Sequence, residues 1–350
     1  MARELTAVGC NIFAGGFTIG VEKHFNVLAH FEHDDYGVRT FRLNRPHIPV
    51  FYPPSRWPRD RLAGEVDFLY ANPPCAIVSV CGRCLREGSD GWRTDPRTNR
   101  IRDIVKLTTE IRPKVMAMES VVQLYTRARE LVAEQSAMLA EAGYAVTHLL
   151  VNTGWHGTPQ VRKRYFLMAH SVPLTFERLN YAPPDTAGEV LASAPAPGWL
   201  PPVNPEHANI WADVRPGRGL REVWERRHPP ETWKRSGAGV RGRPRMTEYR
   251  IDPWKPMGVF YGDFFWHPHE PRRLGLEEAK TLCGFPSDWQ FGAPGPAFSE
   301  MARGVMPGMA GWLARQVANS ITQGDLPHAG ALTGESGWQH RVDLREAPRM

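Results

Sequence analysis

The first half of the chain constrains the fold most, because short apolar runs of strand length alternate there with segments of helical spacing. Apolar runs occupy residues 5–13, 27–31 and 66–71, and residues 16–22 have helical character. Residues 102–112 and 127–143 space their apolar side chains as helices do, and each leads into another strand-like run, at 115–118 and 144–151. Residues 161–169 add a further strand. Such alternation predicts βαβ units around a mostly parallel sheet, an α/β fold. From about residue 171 to 270 the texture changes to Pro, Gly, Trp and Arg with weak periodicity, which predicts a second, loop-rich region. Short helical patterns return at 276–283 and, more strongly, at 309–321, and residues 324–350 read as a mobile tail.

With 350 residues, 42% of them hydrophobic, the chain can bury one large core and a smaller one. The net charge of +6 and a pI near 9.2 suit a polyanionic partner, although the location of the charge matters more than its sum. In the loop-rich region Arg215, Arg218, Arg221, Arg226, Arg227, Lys234, Arg235, Arg241, Arg243, Arg245 and Arg250 face few acids. Trp211, Trp224, Trp233 and Trp254 are interleaved with them. Cations beside flat rings suit phosphates and bases, while a solvated basic face over a small tryptophan core is the alternative. The five cysteines show no disulfide-framework spacing, and Met-Ala-Arg-Glu-Leu at the start lacks a signal peptide's apolar core. These features predict a reduced, cytoplasmic protein, and no apolar run approaches the roughly 20 residues needed to cross a bilayer.

Three short segments carry chemistry. Asn11-Ile12-Phe13-Ala14-Gly15-Gly16-Phe17 links a strand to a helix, where glycines let the backbone turn tightly beside a nucleotide-like ligand. Glu32 ends the next strand, where an acid can accept both hydroxyls of a ribose; alone it would read as an ordinary exposed carboxylate. The apolar strand 66–71 ends in Asn72-Pro73-Pro74-Cys75, whose prolines hold the cysteine rigidly at the sheet edge where α/β folds bind ligands. Cys81 and Cys84 form a short pair without a second pair at zinc-ligand spacing, so no metal site is assigned, and they fall to the loop after Cys75.

With Asn-Pro-Pro-Cys in place, the sequence resembles the DNA cytosine-5 methyltransferase family of prokaryotes and phages, and further blocks follow in that family's order. Glu119-Ser120-Val121 resembles its Glu-Asn-Val, and Pro159-Gln160-Val161-Arg162-Lys163-Arg164 its Pro-Gln-x-Arg-x-Arg. His267-Pro268, Glu270-Pro271-Arg272-Arg273-Leu274, Glu278-Ala279 and Gly284-Phe285-Pro286 resemble the segment that closes the recognition domain. Ala302-Arg303-Gly304-Val305-Met306-Pro307 stands where the family has Gly-Asn-Ala-Val-Pro-Pro.

The resemblance implies a Rossmann-like S-adenosylmethionine-dependent methyltransferase fold with a mixed, mostly parallel seven-stranded sheet and a smaller target-recognition domain. It implies a catalytic part of residues 1–172 with 300–323, and a recognition part of residues 173–299. Cys75, Glu119, Arg162 and Arg164 are the implied catalytic residues: Cys75 adds to C6 of cytosine, Glu119 holds the ring nitrogen and exocyclic amine, and Arg164 holds the carbonyl oxygen. Phe13, Ala14, Gly15, Gly16, Glu32, Asn72, Pro74, Arg303 and Val305 are the implied cofactor residues. The expected partner is double-stranded DNA, bound by a monomer through Ser79, Arg83, Arg86, Arg226, Arg227, Lys234, Arg235, Arg241, Arg243 and Arg245. Asp60 is a candidate for the adenine-binding acid.

Two positions depart from the family. Ser120 replaces an Asn that supports the loop around the glutamate. Arg303 replaces an Asn near the cofactor's reactive end, where a sulfonium about 5 Å away would be repelled by roughly 3 kcal/mol at an effective dielectric of 20. A carboxymethyl group on that sulfonium, as in carboxy-S-adenosylmethionine, would turn the same arginine into a charge-assisted partner; alternatively Arg303 swings out to a phosphate or a neighbouring acid. A catalytically silent DNA-binding relative and a tRNA cytosine methyltransferase are the competing functions. Retention of the nucleophile with Glu119, Arg162 and Arg164 opposes the first, and absence of a Cys-Phe-Thr element opposes the second.

Overall fold

The computed structural model describes residues 3–79, 91–156, 158–176, 184–236, 239–240, 242–260 and 262–323. Its centre is a seven-stranded sheet: β1 (Thr6–Cys10), β2 (Asn26–Phe31), β3 (Val50–Phe51), β4 (Phe68–Ala71), β5 (Val115–Val121), β6 (Ala145–Asn152) and β7 (Lys163–His170). The strands lie in the order β3-β2-β1-β4-β5-β7-β6, with β7 antiparallel to both neighbours and every other pairing parallel.

Both faces of the sheet are apolar, which explains why its strands read as continuous hydrophobic runs. Leu69, Ala71, Met116, Met118, Tyr165 and Leu167 point to one face, onto α4 (Asn99–Ile111) and α6 (Arg129–Glu141). Phe68, Tyr70, Val115, Ala117, Phe166 and Met168 point to the other, onto α1 (Gly16–Val21) and α12 (Pro307–Gln323). The remaining elements of this half are the short helices α2 (Val38–Asn44), α3 (Arg59–Leu62) and α5 (Val122–Arg127).

Helices α1 and α12 meet at glycine. A Cβ on Gly20 would lie 2.3 Å from the Gly311 amide nitrogen and 2.5 Å from the Ala310 carbonyl carbon, both backbone atoms that cannot turn aside. Gly20→Ala is therefore expected to destabilise the fold by about 1–3 kcal/mol through overpacking. Scanning calorimetry would show a melting temperature lowered by several degrees, whereas Gly311→Ala, whose Cβ would meet nothing closer than 3.8 Å, should leave it unchanged or higher.

The loop-rich half holds α7 (Ala187–Ala192), α8 (Pro205–Ile210), α9 (Leu220–Arg227), α10 (Leu276–Leu282) and α11 (Pro294–Arg303). Val190, Phe260, Leu274, Leu282, Phe298 and Met301 pack with Ala14 and Ile19, so this half grows directly from the turn after β1. Farther out, Trp211, Val214, Leu220, Val223, Trp224 and Trp266 form a separate small core. Two of the four interleaved tryptophans thus serve as core, Trp233 packs against it half-buried, and only Trp254 stands in solvent at 73% exposure. The expected strand at 161–169 starts later, at Lys163, because the Val161 amide donates instead to the Met257 carbonyl at 2.7 Å. The expected tail at 324–350 lies outside the described residues. No helix among the described residues is long and apolar enough to cross a membrane.

Candidate active site

The strand order reverses between β1 and β4, since the chain moves outward from β1 through β2 and β3 and then returns to β4 on the other side. Ligands of open α/β sheets bind at such a switch point, beyond the carboxyl ends of the strands. The turn after β1 lies there. Asn11, Phe13 and Gly15 all have positive φ (53°, 52° and 87°), and the Gly15 amide closes the turn on the Ile12 carbonyl at 3.0 Å. The Ile12 amide donates to Glu32 Oε1 at 3.0 Å, joining this turn to the end of β2. Burial pushes the Glu32 carboxyl up to about 8, with the Ile12 amide pulling back down, and Trp57 Nε1 donates to the Glu32 carbonyl at 3.3 Å.

The glycines also allow close packing on this side of the turn. Gly16 is needed because a Cβ there would lie 2.3 Å from the Val305 carbonyl oxygen, and Gly15 because one would meet the Trp289 ring at 2.9 Å. The side of the turn that a Cβ would occupy is therefore filled by protein, including the Val305 backbone. Ala14 is buried in the same packing, and Phe13 stands edge-on to Tyr36, with ring centroids 5.7 Å apart.

After β4 the Asn72 amide pairs with the Cys10 carbonyl at 3.0 Å, and Pro74 leads into a single 3-10 turn, Cys75–Ile77. The Asn72 side chain reaches across to β5, where Nδ2 donates to Glu119 Oε2 at 2.5 Å. Arg164, at the start of β7, places Nε 2.6 Å from Glu119 Oε1, an ion pair that holds the second carboxyl oxygen. Its Nη1 donates to the Lys163 carbonyl at 2.8 Å, while Nη2 has no partner among the described residues. The Glu119 side chain is 3% exposed. Burial drives its carboxyl up to about 7, against the opposing charge of Arg164.

Burial also raises the Cys75 thiol above the usual cysteine range, and Glu119 adds to the rise; Arg164 and Arg303 act in the opposite direction. Arg162 directs Nη1 to the Ala302 carbonyl at 3.4 Å and leaves a buried Nε without a partner among the described residues. Asn72 Oδ1 and Arg162 Nε are thus buried polar atoms without hydrogen bonds among the described residues. Buried polar groups in folded proteins are nearly always paired, so two at the same edge of the sheet mark a place suited to a polar ligand.

Residues 10–194, more than half of the chain, match the model for C-5 cytosine-specific DNA methylases. The chain belongs to that family. The type II methylase M.HgiDII of Herpetosiphon aurantiacus is 26% identical over 284 residues, which cover 73% of this chain and 78% of the relative. The type II methyltransferase M.NgoMIV of Neisseria gonorrhoeae is 24% identical over 323 residues, covering 88% and 95%. Among solved structures, the Entamoeba histolytica methyltransferase EhMeth superposes with a TM-score of 0.65 at 13% identity, over 92% of this chain and 100% of the other, which shows the Rossmann-like fold.

Measured against the family expectation, the structure brings Cys75, Glu119, Arg164, Asn72 and Pro74 to one edge, with Arg162 beside the end of α11. Ser120, expected to support the glutamate, makes no side-chain hydrogen bond among the described residues; Asn72 supplies that support instead. Arg303 ends α11, exposed, with its guanidinium 5.0 Å over the Tyr36 ring and no acidic partner among the described residues. Tyr36 was not legible in the sequence, and its hydroxyl donates to Ser299 at 3.2 Å. Asp60 is an exposed first-turn residue of α3.

The expected DNA-facing residues divide into four sets. Ser79 lies just past the Cys75 turn, its amide on the Cys75 carbonyl at 3.0 Å. Arg226, Lys234 and Arg245 are exposed and make no ion pair among the described residues, and Arg245 stacks over Phe264. Arg227 pairs with Asp213, while Arg243 pairs with Glu225 and lies over Trp233, so both are partly neutralised. Arg83, Arg86 and Arg241, and the side chain of Arg235, fall outside what is described, as do Cys81 and Cys84.

Proposed function

We propose that this chain transfers a methyl group to C5 of cytosine in double-stranded DNA, through a covalent bond between Cys75 and C6 of a base flipped out of the duplex. The observation that supports it most is the buried Glu119 carboxyl held between Asn72 and Arg164 and acting on Cys75. C5 of an aromatic cytosine is a poor nucleophile. Addition of the Cys75 thiolate to C6 puts the electron pair onto C5 and the ring, and a protonated Glu119 donating to N3 neutralises the developing charge. The free Arg164 Nη2 would hold the base's carbonyl oxygen. Loss of the C5 proton later expels Cys75 and restores the ring. A stacked base cannot reach these groups, so extrusion costs a few kcal/mol that DNA contacts must offset.

The site fits S-adenosylmethionine. Glu32 is a buried acid with one oxygen on the Ile12 amide, and Phe13, Ala14, Gly15, Gly16, Asn72, Pro74 and Val305 surround the switch point. When bound there, the cofactor supplies an electrophilic methyl carbon. The recognition half, residues 173–299, would sit on the duplex through Arg226, Lys234 and Arg245, with catalysis in residues 1–172 and 300–323. The monomer acts in the cytoplasm of a bacterial or phage-infected cell. Nucleoside mass spectrometry on plasmid DNA from cells expressing the protein tests this: 5-methylcytosine should appear. Productive binding of tRNA in preference to duplex DNA would overturn the substrate assignment.

A second reading rests on Arg303. Its cation lies over the Tyr36 ring and acts on Cys75, with no acidic partner among the described residues. Such a charge disfavours a bare sulfonium and favours a donor carrying a carboxylate, as in carboxy-S-adenosylmethionine, which would make the product carboxymethylcytosine. Calorimetric titration of both donors should show Arg303→Asn shifting preference toward the methyl donor by about tenfold or more. Equal relative affinities in wild type and variant would remove this reading.

A further inference from the structure

A buried charged pair sits beneath the arginine-bearing turn at residues 242–245. His207 on α8 and Glu248 have side chains only 7% and 4% exposed. Glu248 Oε2 accepts from His207 Nδ1 at 3.3 Å, Trp266 Nε1 at 3.4 Å and Arg273 Nη2 at 3.4 Å. Its Oε1 accepts from the Arg245 amide at 3.2 Å. With both oxygens already accepting N–H bonds and a guanidinium alongside, the group is a carboxylate with no proton to give.

The other ring nitrogen, His207 Nε2, lies 2.8 Å from the Gly242 carbonyl oxygen. A carbonyl and a carboxylate can only accept, so both ring nitrogens must donate, and a neutral imidazole has one N–H where this geometry needs two. This arrangement is the one an imidazolium makes. The ring grips Gly242 directly and Arg245 through Glu248, at the two ends of the segment that carries Arg243 and Arg245. We propose that protonated His207 is a positioning residue that bolts this turn into the shape in which it contacts DNA, so that DNA affinity falls as the ring loses its second proton. This rests on the reading of the turn as DNA-facing.

The charged surroundings agree with the assignment. Glu248 and Glu206 are the acids that act on the ring, Glu206 also pairing with His228 of the segment after α9 at 2.7 Å. Arg273 is the cation on the far side of Glu248 and is itself paired with Asp263 at 3.1 Å, and the Arg245 side chain is turned away over Phe264. Hydrogen bonds to Glu248 and Gly242 raise the ring's pKa from 6.5 despite burial. The bolt is therefore complete below pH 6.5 and is lost as pH rises through the elevated value.

Fluorescence anisotropy with a duplex oligonucleotide, run on the full chain from pH 6 to 9 at constant ionic strength, tests the consequence. Wild type is expected to lose about tenfold in affinity across the alkaline part of that range. His207→Gln, which keeps a donor but no charge, should bind weakly and lack that step. Nitrogen-15 NMR of wild type near pH 6.5 should find both His207 ring nitrogens protonated, a readout independent of whether the variant folds. A neutral ring there, or identical pH profiles for wild type and His207→Gln, overturns the bolt. Undiminished binding by Arg245→Ala would instead overturn the DNA-facing reading of the turn, separately from the state of the ring.

Discussion

Replacing Cys75 with alanine is expected to abolish cytosine modification, lowering the rate by at least about 10³-fold while leaving the fold and DNA affinity nearly unchanged. The thiol occupies the first turn after two prolines, and none of the described hydrogen bonds depends on its sulfur, so the substitution removes chemistry rather than structure. Removing the nucleophile also removes the only described route by which electron density reaches C5. A duplex with fluorine in place of hydrogen at C5 gives the matching positive result. With S-adenosylmethionine supplied, methyl transfer leaves C5 carrying fluorine and no proton, so Cys75 cannot be expelled by elimination and intact-mass analysis should find a protein–DNA adduct in wild type alone. Activity retained by Cys75→Ala would exclude the covalent mechanism.

Much of this arrangement is legible in the sequence because the informative residues are local. Asn72-Pro73-Pro74-Cys75 announces itself as a rigid strand end, and the buried sheet announces itself as apolar runs interrupted by helical spacing. The two-residue strand β3 and the short helices α2, α3 and α5 are too brief to impose a period, so they emerge only when the parallel sheet is assembled. The Asn72 link to Glu119 is invisible for another reason: it joins neighbouring strands separated by a long crossover, and nothing in either segment encodes the pairing. The basic region misleads in a further way. Composition counts cations but cannot see Asp213 and Glu225 folding back onto Arg227 and Arg243, nor Trp211 and Trp224 turning inward. Tyr36 and Arg303 meet where α11 docks on the segment around α2, through Tyr36 on Ser299 at 3.2 Å and Thr40 on Glu300 at 2.6 Å, contacts between distant parts of the chain.

Glu119→Gln should reduce kcat/KM by about 10²- to 10³-fold, and its pH profile should reveal why. Chemistry needs Cys75 as thiolate and Glu119 as acid. The carboxyl is held near 7 by burial, while the thiol is raised above the usual cysteine range. Below pH 7 the carboxyl is protonated and the rate should climb tenfold per pH unit with the thiolate fraction. Above 7 the gain in thiolate is cancelled by loss of the Glu119 proton, which gives a plateau that ends in a decline once the thiol itself has ionised. Glutamine carries N–H groups that never titrate, so the variant, although slower, should keep climbing through pH 7 with no break until the thiol pKa is reached. A break that persists near 7 in Glu119→Gln would assign that ionisation to another group and remove Glu119 as the proton donor to the base.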